Sequence, residues 1–89
     1  MDQDPKLTTP ALRLLVSQGL AGQLSARGVA GGFLLVMKSG HSELPLLAQR
    51  GAARVFKRLD TLASFLKDLG IRTATLELDQ WDGGDDAEP

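Results

Sequence analysis

The sequence predicts a small α+β domain: an antiparallel β-meander packed by two helices, in the order α-β-β-β-β-α-β. Three observations carry that expectation. Residues 50–71, R-G-A-A-R-V-F-K-R-L-D-T-L-A-S-F-L-K-D-L-G-I, pass from a turn to a short strand and then to an amphipathic helix closed by glycine. The apolar run F-L-L-V-M at 33–37 follows Ala30-Gly31-Gly32, a natural tight reversal because glycine tolerates positive φ. R-T-A-T-L-E-L-D at 72–79 alternates apolar and polar residues, the period of a strand with one face on a core.

The elements follow in order. Residues 1–8 are expected to be a disordered N-terminus, and residues 9–79 a single folded domain. Thr9-Pro10 starts the first helix, with threonine as cap and proline in the first turn. Leu12, Leu15 and Val16 share its inner face, and Gly19 ends it. Residues 23–30 read as a first strand and 33–38 as a second. The second strand is apolar on both parities, so a cover is expected on each face, from the two helices or from a partner subunit. Ser39-Gly40-His41-Ser42 turns the chain. Residues 43–49 make a third strand, and Pro45, which lacks an N–H, assigns it to an edge or a bulge. Residues 52–57 read as a fourth strand after the Arg50-Gly51 turn. The second helix covers about 59–69, with Leu59, Leu62, Ala63, Leu66 and Leu69 as its apolar stripe. Asp60 complements its N-terminal dipole, and Gly70 supplies the left-handed C′ position with Ile71 as the accompanying apolar contact. In the last strand Ala74, Leu76 and Leu78 are expected to face the core, and Thr73, Thr75 and Glu77 to face out. Residues 80–89 form an acidic flexible tail, too polar and glycine-rich to fold alone.

Composition limits the possible functions. Eighty-nine residues suit one domain, which buries only roughly 60–65% of its unfolded surface and therefore has a small stability margin unless it oligomerises. A homodimer is one expectation. Without cysteine there are no disulfides and no thiolate–metal sites. No metal and no cofactor are expected. The polar, acidic start M-D-Q-D-P-K is unlike a secretory signal, and no apolar run is long enough to cross a bilayer, so a soluble cytoplasmic protein is expected.

Few residues are suited to chemistry. His41 is the single histidine, and its place between Gly40 and Ser42 reads as a solvated turn. No second histidine or cysteine supports a nucleophilic triad or a zinc site. G-V-A-G-G at 28–32 precedes a strand and lacks G-K-[ST], so it is a hairpin turn, not a phosphate loop. Asp82, Asp85 and Asp86 do not have EF-hand spacing. No catalytic residue is assigned, and the protein is not expected to be an enzyme.

Charge is the remaining signal. Residues 1–79 hold all ten Lys and Arg against seven acids, a net +3, and residues 80–89 hold four acids and no base. Arg50, Arg54, Lys57 and Arg58 fall within nine positions, and Lys38 and Arg27 on neighbouring hairpin strands extend the group. Such a cluster is either a solvated surface or a contact for an acidic partner or DNA. The absence of tyrosine, with phenylalanines assigned to the core, argues against a stacking platform for single strands. Trp81 directly follows the last strand. It either folds back onto the core edge or anchors a partner.

The Gly-Gly hairpin, the apolar strand and L-A-Q-R-G-A-A-R-V-F-K-R-L-D-T-L-A-S-F-L-K-D-L-G-I together resemble the ParC-family partition-associated proteins of plasmids and mobile elements. These are distinct from the topoisomerase subunit of the same name. The resemblance covers roughly residues 11–79. Its most specific part is A-Q-R-G followed by R-x-F-K-x-L-D-x-L-x-x-F-L-x-x-L-G-I, a largely structural motif. It implies a setting, the partition or maintenance of mobile DNA, and no catalytic residues. The expected role is that of an accessory protein that binds a partition protein or DNA through the basic hairpin edge. A mobile-element adaptor or inhibitor that binds a host protein, for instance against host defence, is the alternative.

Overall fold

The computed structural model describes residues 6–81. Two helices and a four-stranded sheet run in the order α1 (Thr9–Ser17), β1 (Gln23–Val29), β2 (Gly32–Ser39), β3 (Ser42–Pro45), α2 (Leu59–Asp68), β4 (Thr75–Glu77). The domain is α+β, as the sequence predicts, but with one strand fewer. Across the sheet the order is β3-β2-β1-β4.

Both helices end as their glycines predict. At α1, Gly19 has φ +71°, and the N–H of Leu20 donates to the carbonyl of Leu15 at 2.8 Å. At α2, Gly70 has φ +87°; Ile71 N–H donates to Leu66 O and Gly70 N–H to Lys67 O, both at 3.0 Å. That pair of bonds is the Schellman motif, which satisfies carbonyls the helix leaves open. The start of α1 lies one residue earlier than expected. Thr8, not Thr9, is the cap, and its hydroxyl accepts from Ala11 N–H at 3.2 Å.

β1 and β2 form a hairpin in which Leu24, Ala26 and Gly28 lie beside Met37, Leu35 and Phe33. This face carries the core. Leu12 from α1, Leu62 and Leu66 from α2, and Leu46 and Phe56 from the intervening loop pack on it as one cluster. Leu7 joins them at 2% exposed, and its carbonyl accepts from Leu47 N–H at 2.8 Å. Leu7 and Thr8, expected outside the domain, therefore belong to it. Residues 1–5 and the acids Asp82, Asp85, Asp86 and Glu88 lie outside the described residues.

The expected meander fails at two places. Residues 52–57 are not a strand. Leu46 N–H still donates to Leu35 O, after which the chain leaves the sheet and returns at Phe56. There Phe33 and Phe56 exchange two hydrogen bonds of 2.8 Å on the same edge of β2. The excursion between them closes on itself, with Ala48 N–H bonded to Ala52 O at 2.7 Å and Gly51 N–H to Ala48 O at 2.9 Å. Gly32 permits the return, because a Cβ there would run into Phe56 O.

The last strand is parallel to β1, not antiparallel. α2 reverses the chain once and β4 reverses it again, so β4 recovers the direction of β3. A helix between two strands makes such a crossover, whereas a meander needs tight turns. β4 is also short, and its leucines are poorly covered: Leu76 is 46% exposed and Leu78 45%. Leu76 does share the face of Ala26, but α2 does not reach far enough to bury it.

Candidate functional site: two basic groups on different surfaces

The six cations grouped by the sequence separate in the fold. Arg27 and Lys38 lie on the sheet face opposite the helices, each within an ion-pair network. Arg27 Nε donates to Glu77 at 2.7 Å and its Nη2 to Glu43 at 3.0 Å. Lys38 Nζ donates to the second oxygen of Glu77 at 2.8 Å. These residues come from all four strands. Lys38 first, and Arg27 second, hold the Glu77 carboxylate down at about 2. Arg27 likewise lowers Glu43.

The strand register explains what the network covers. The Arg27–Glu43 pair spans from β1 to β3, passing over β2 where Val36 lies between Leu34 and Lys38. The Lys38–Glu77 pair spans from β2 to β4, passing over Ser25. Val36 is accordingly 1% exposed and Ser25 0%, although both are outside the core cluster. The Ser25 hydroxyl has no hydrogen-bond partner among the described residues. Side-chain ion pairs thus cover the second apolar face of β2, where a helix or a partner subunit was expected. Arg27 and Lys38 are committed there and do not extend the Arg50–Arg58 group, a correction to the sequence reading. Alternation placed Glu77 on an outward position, but its pairing with Arg27 and Lys38 required a strand register that the parallel crossover sets.

Arg58 also turns to a carboxylate. Its Nε and Nη2 reach the two oxygens of Asp60 at 3.0 and 3.2 Å. Lys57 is exposed beside it. His41 is exposed in the β2–β3 turn, as expected.

Arg50 and Arg54 are placed differently. They line a groove of about 960 Å³ between the 47–54 excursion and the start of α1. Thr8, Thr9 and Pro10 form one wall, and Leu47, Ala48 and Ala52 line the opposite side; no carboxylate lines it among the described residues. Arg54 is half-buried and held over two rings, its Cζ 4.5 Å from the centre of Phe56 and 5.0 Å from that of Phe65. Such stacking fixes a guanidinium while leaving its N–H donors available. Arg50 sits on the hairpin tip, exposed. The sequence named both arginines but not the wall supplied by α1, which the Leu7–Leu46 bridge and the burial of Leu12 bring alongside.

Trp81 folds back. Its ring lies 5.5 Å from that of Phe33, and its Cβ occupies the space a side chain at Gly28 would need, 2.5 Å from that position. It remains 40% exposed. Among the described residues no group of acids or histidines could hold a metal, and no helix is long and apolar enough to cross a membrane. Comparison with protein-family models, curated proteins and solved structures returned no match.

Proposed function

We propose that this is a non-enzymatic, cytoplasmic accessory protein of plasmid or mobile-element maintenance that binds a partition protein or DNA through Arg50 and Arg54. The setting rests on the family resemblance of residues 11–79. The observation that carries the mode of action is the pairing of two arginines in one groove that no carboxylate lines among the described residues. Every other cation of the sequence-predicted group except Lys57 has an acidic partner. The groove's apolar lining, Pro10, Leu47, Ala48 and Ala52, suits an acidic protein segment with apolar side chains better than a phosphate backbone. The protein partner is therefore the first reading.

The test is capture from the native host with the tagged full-length chain, with and without nuclease, in parallel with Arg50→Glu. Arg50 is exposed, so the variant is expected to fold, which circular dichroism checks. A protein retained after nuclease and lost with Arg50→Glu is the expected result. Loss of capture on nuclease treatment would make DNA the ligand. In that case log affinity falls with log salt, and the slope shrinks by roughly 0.9 per lost phosphate contact. Equal capture by both chains would refute the groove.

A further inference from the structure

We propose that β4 is the seam of a symmetric dimer, in which a second copy of this chain pairs its own β4 antiparallel to the first and closes the groove between β4 and α2. This inference is independent of the Arg50–Arg54 groove, which shares no lining residue with it.

Among the described residues β4 is the end strand of the sheet, and no strand lies beside its outward N–H and C=O groups. Natural edges are usually blunted by proline, lysine or an inward charge. The opposite edge follows that rule, since β3 ends on Pro45. β4, T-L-E, is short but has no proline or lysine, and its one charge, Glu77, is held on the outer face by Arg27 and Lys38. Instead it borders an open groove of about 680 Å³ lined by Ala26, Leu59, Leu62, Leu66, Ile71 and Leu76. Leu76 and Leu78 are nearly half exposed beside it, and Leu59 is also exposed. An apolar face next to an unpaired edge is the combination that strand addition covers, with the main chain supplying the hydrogen bonds and the alternate side chains the fit.

The charge pattern selects the occupant. The segment is basic where it enters, at Arg72, and acidic where it leaves, at Glu77 and Asp79. Antiparallel pairing of two identical copies brings the Arg72 end of each alongside the Asp79 end of the other. Centred on Leu76, the pairing sets Leu76 against its own copy, Ala74 against Leu78 and Thr75 against Glu77. All apolar residues of the segment then meet on the helix side, next to both grooves, and no like charges stand opposite. Centring on Glu77 would oppose two carboxylates, which is destabilising. The arrangement is isologous and closes at two copies. Glu77 keeps its bonds to Arg27 and Lys38, because these lie on the other face.

Sedimentation velocity over a micromolar-to-submillimolar range tests the seam. The wild-type chain is expected to shift towards twice its 9.5 kDa mass, and Leu76→Glu to stay at the single-chain mass with unchanged circular dichroism. The chain has no cysteine, so single introduced cysteines report positions cleanly. Spin labels at Asp79→Cys are expected to lie roughly 20 Å apart across the seam, and labels at His41→Cys roughly 30 Å apart or more, from strand rise and spacing. A single-chain mass at every concentration, a dimer unaffected by Leu76→Glu, or a 79–79 separation longer than the 41–41 one would each overturn the proposal. So would a monomer whose β4 and α2 resonances shift only with a different protein, which would give the surface another occupant.

Discussion

Replacing Glu77 with glutamine tests whether ion pairs hold the outer sheet face. The substitution keeps the shape of the side chain and removes the charge that binds Arg27 and Lys38 at 2.7 and 2.8 Å. The carboxylate is held from 4.5 down to about 2. At about 1.36 kcal/mol per unit, that displacement sets a ceiling of about 3.4 kcal/mol. The charged side chains of the pairs are 23–34% exposed, so solvent screening brings the expected loss at neutral pH to about 1–2 kcal/mol. A domain this small loses about 4–8 °C of Tm per kcal/mol. The sign with pH follows from the depressed value. Glu77 binds its proton less readily folded than unfolded, so its contribution is complete above about 4.5 and disappears as pH falls through about 2. Urea titrations of both chains at pH 7, 4 and 2 measure this. The midpoints are expected to differ at pH 7, approach each other at pH 4 and nearly coincide at pH 2. A difference that stays constant with pH, or that is absent at pH 7, would mean that Val36 and Ser25 owe their burial to something other than this network.

Two further substitutions test the core. Leu62→Ala, at a fully buried position of α2, is expected to cost about 2–4 kcal/mol in urea unfolding, and an unchanged midpoint would mean that α2 does not seat on the sheet. Gly32→Ala is expected to destabilise by more than 1 kcal/mol, roughly the scale of backbone strain at φ +153°, since its Cβ also meets Phe56 O; a wild-type Tm would show that the chain does not return to β2 at Phe56.

Local chemistry was legible in the sequence, and long-range direction was not. Gly19 and Gly70 ended their helices because a left-handed residue is needed there, and that need is read within a few residues. The β1–β2 hairpin was legible because Ala30-Gly31-Gly32 joins adjacent strands. The direction of β4 depends on which edge α2 carries it to, some fifty positions from its partner β1, and alternation does not encode an edge. The same limit explains the basic group. Arg50 and Arg58 are neighbours in sequence, yet one lines the groove beside α1 and the other binds Asp60 at the start of α2. Residues 52–57 misled because V-F-K has strand propensity, while only Phe56 finds a position on β2. Leu7 lay within a polar start, and its burial depended on Leu46 running beside it.

Both helices contribute to one core, and this has consequences at each edge of the sheet. The excursion that carries Arg50 and Arg54 leaves from the β3 side, and β4 lies at the opposite end of the strand order. Pairing at β4 therefore leaves both arginine grooves at the far ends of a continuous eight-stranded sheet. One groove offers two guanidinium groups that have no ion pair among the described residues, which is a small electrostatic footprint for tight binding. In the proposed dimer, two grooves held at a fixed separation would engage a partner with repeated acidic segments as linked events, the second contact forming at high effective concentration without any added cation. The two proposals taken together would thus compensate for the small basic surface that remains after Arg27, Lys38 and Arg58 are paired. The proposal for β4 and the proposal for the groove remain separable, because Leu76→Glu removes the linkage and leaves each groove intact, whereas Arg50→Glu removes the contact and leaves the seam intact.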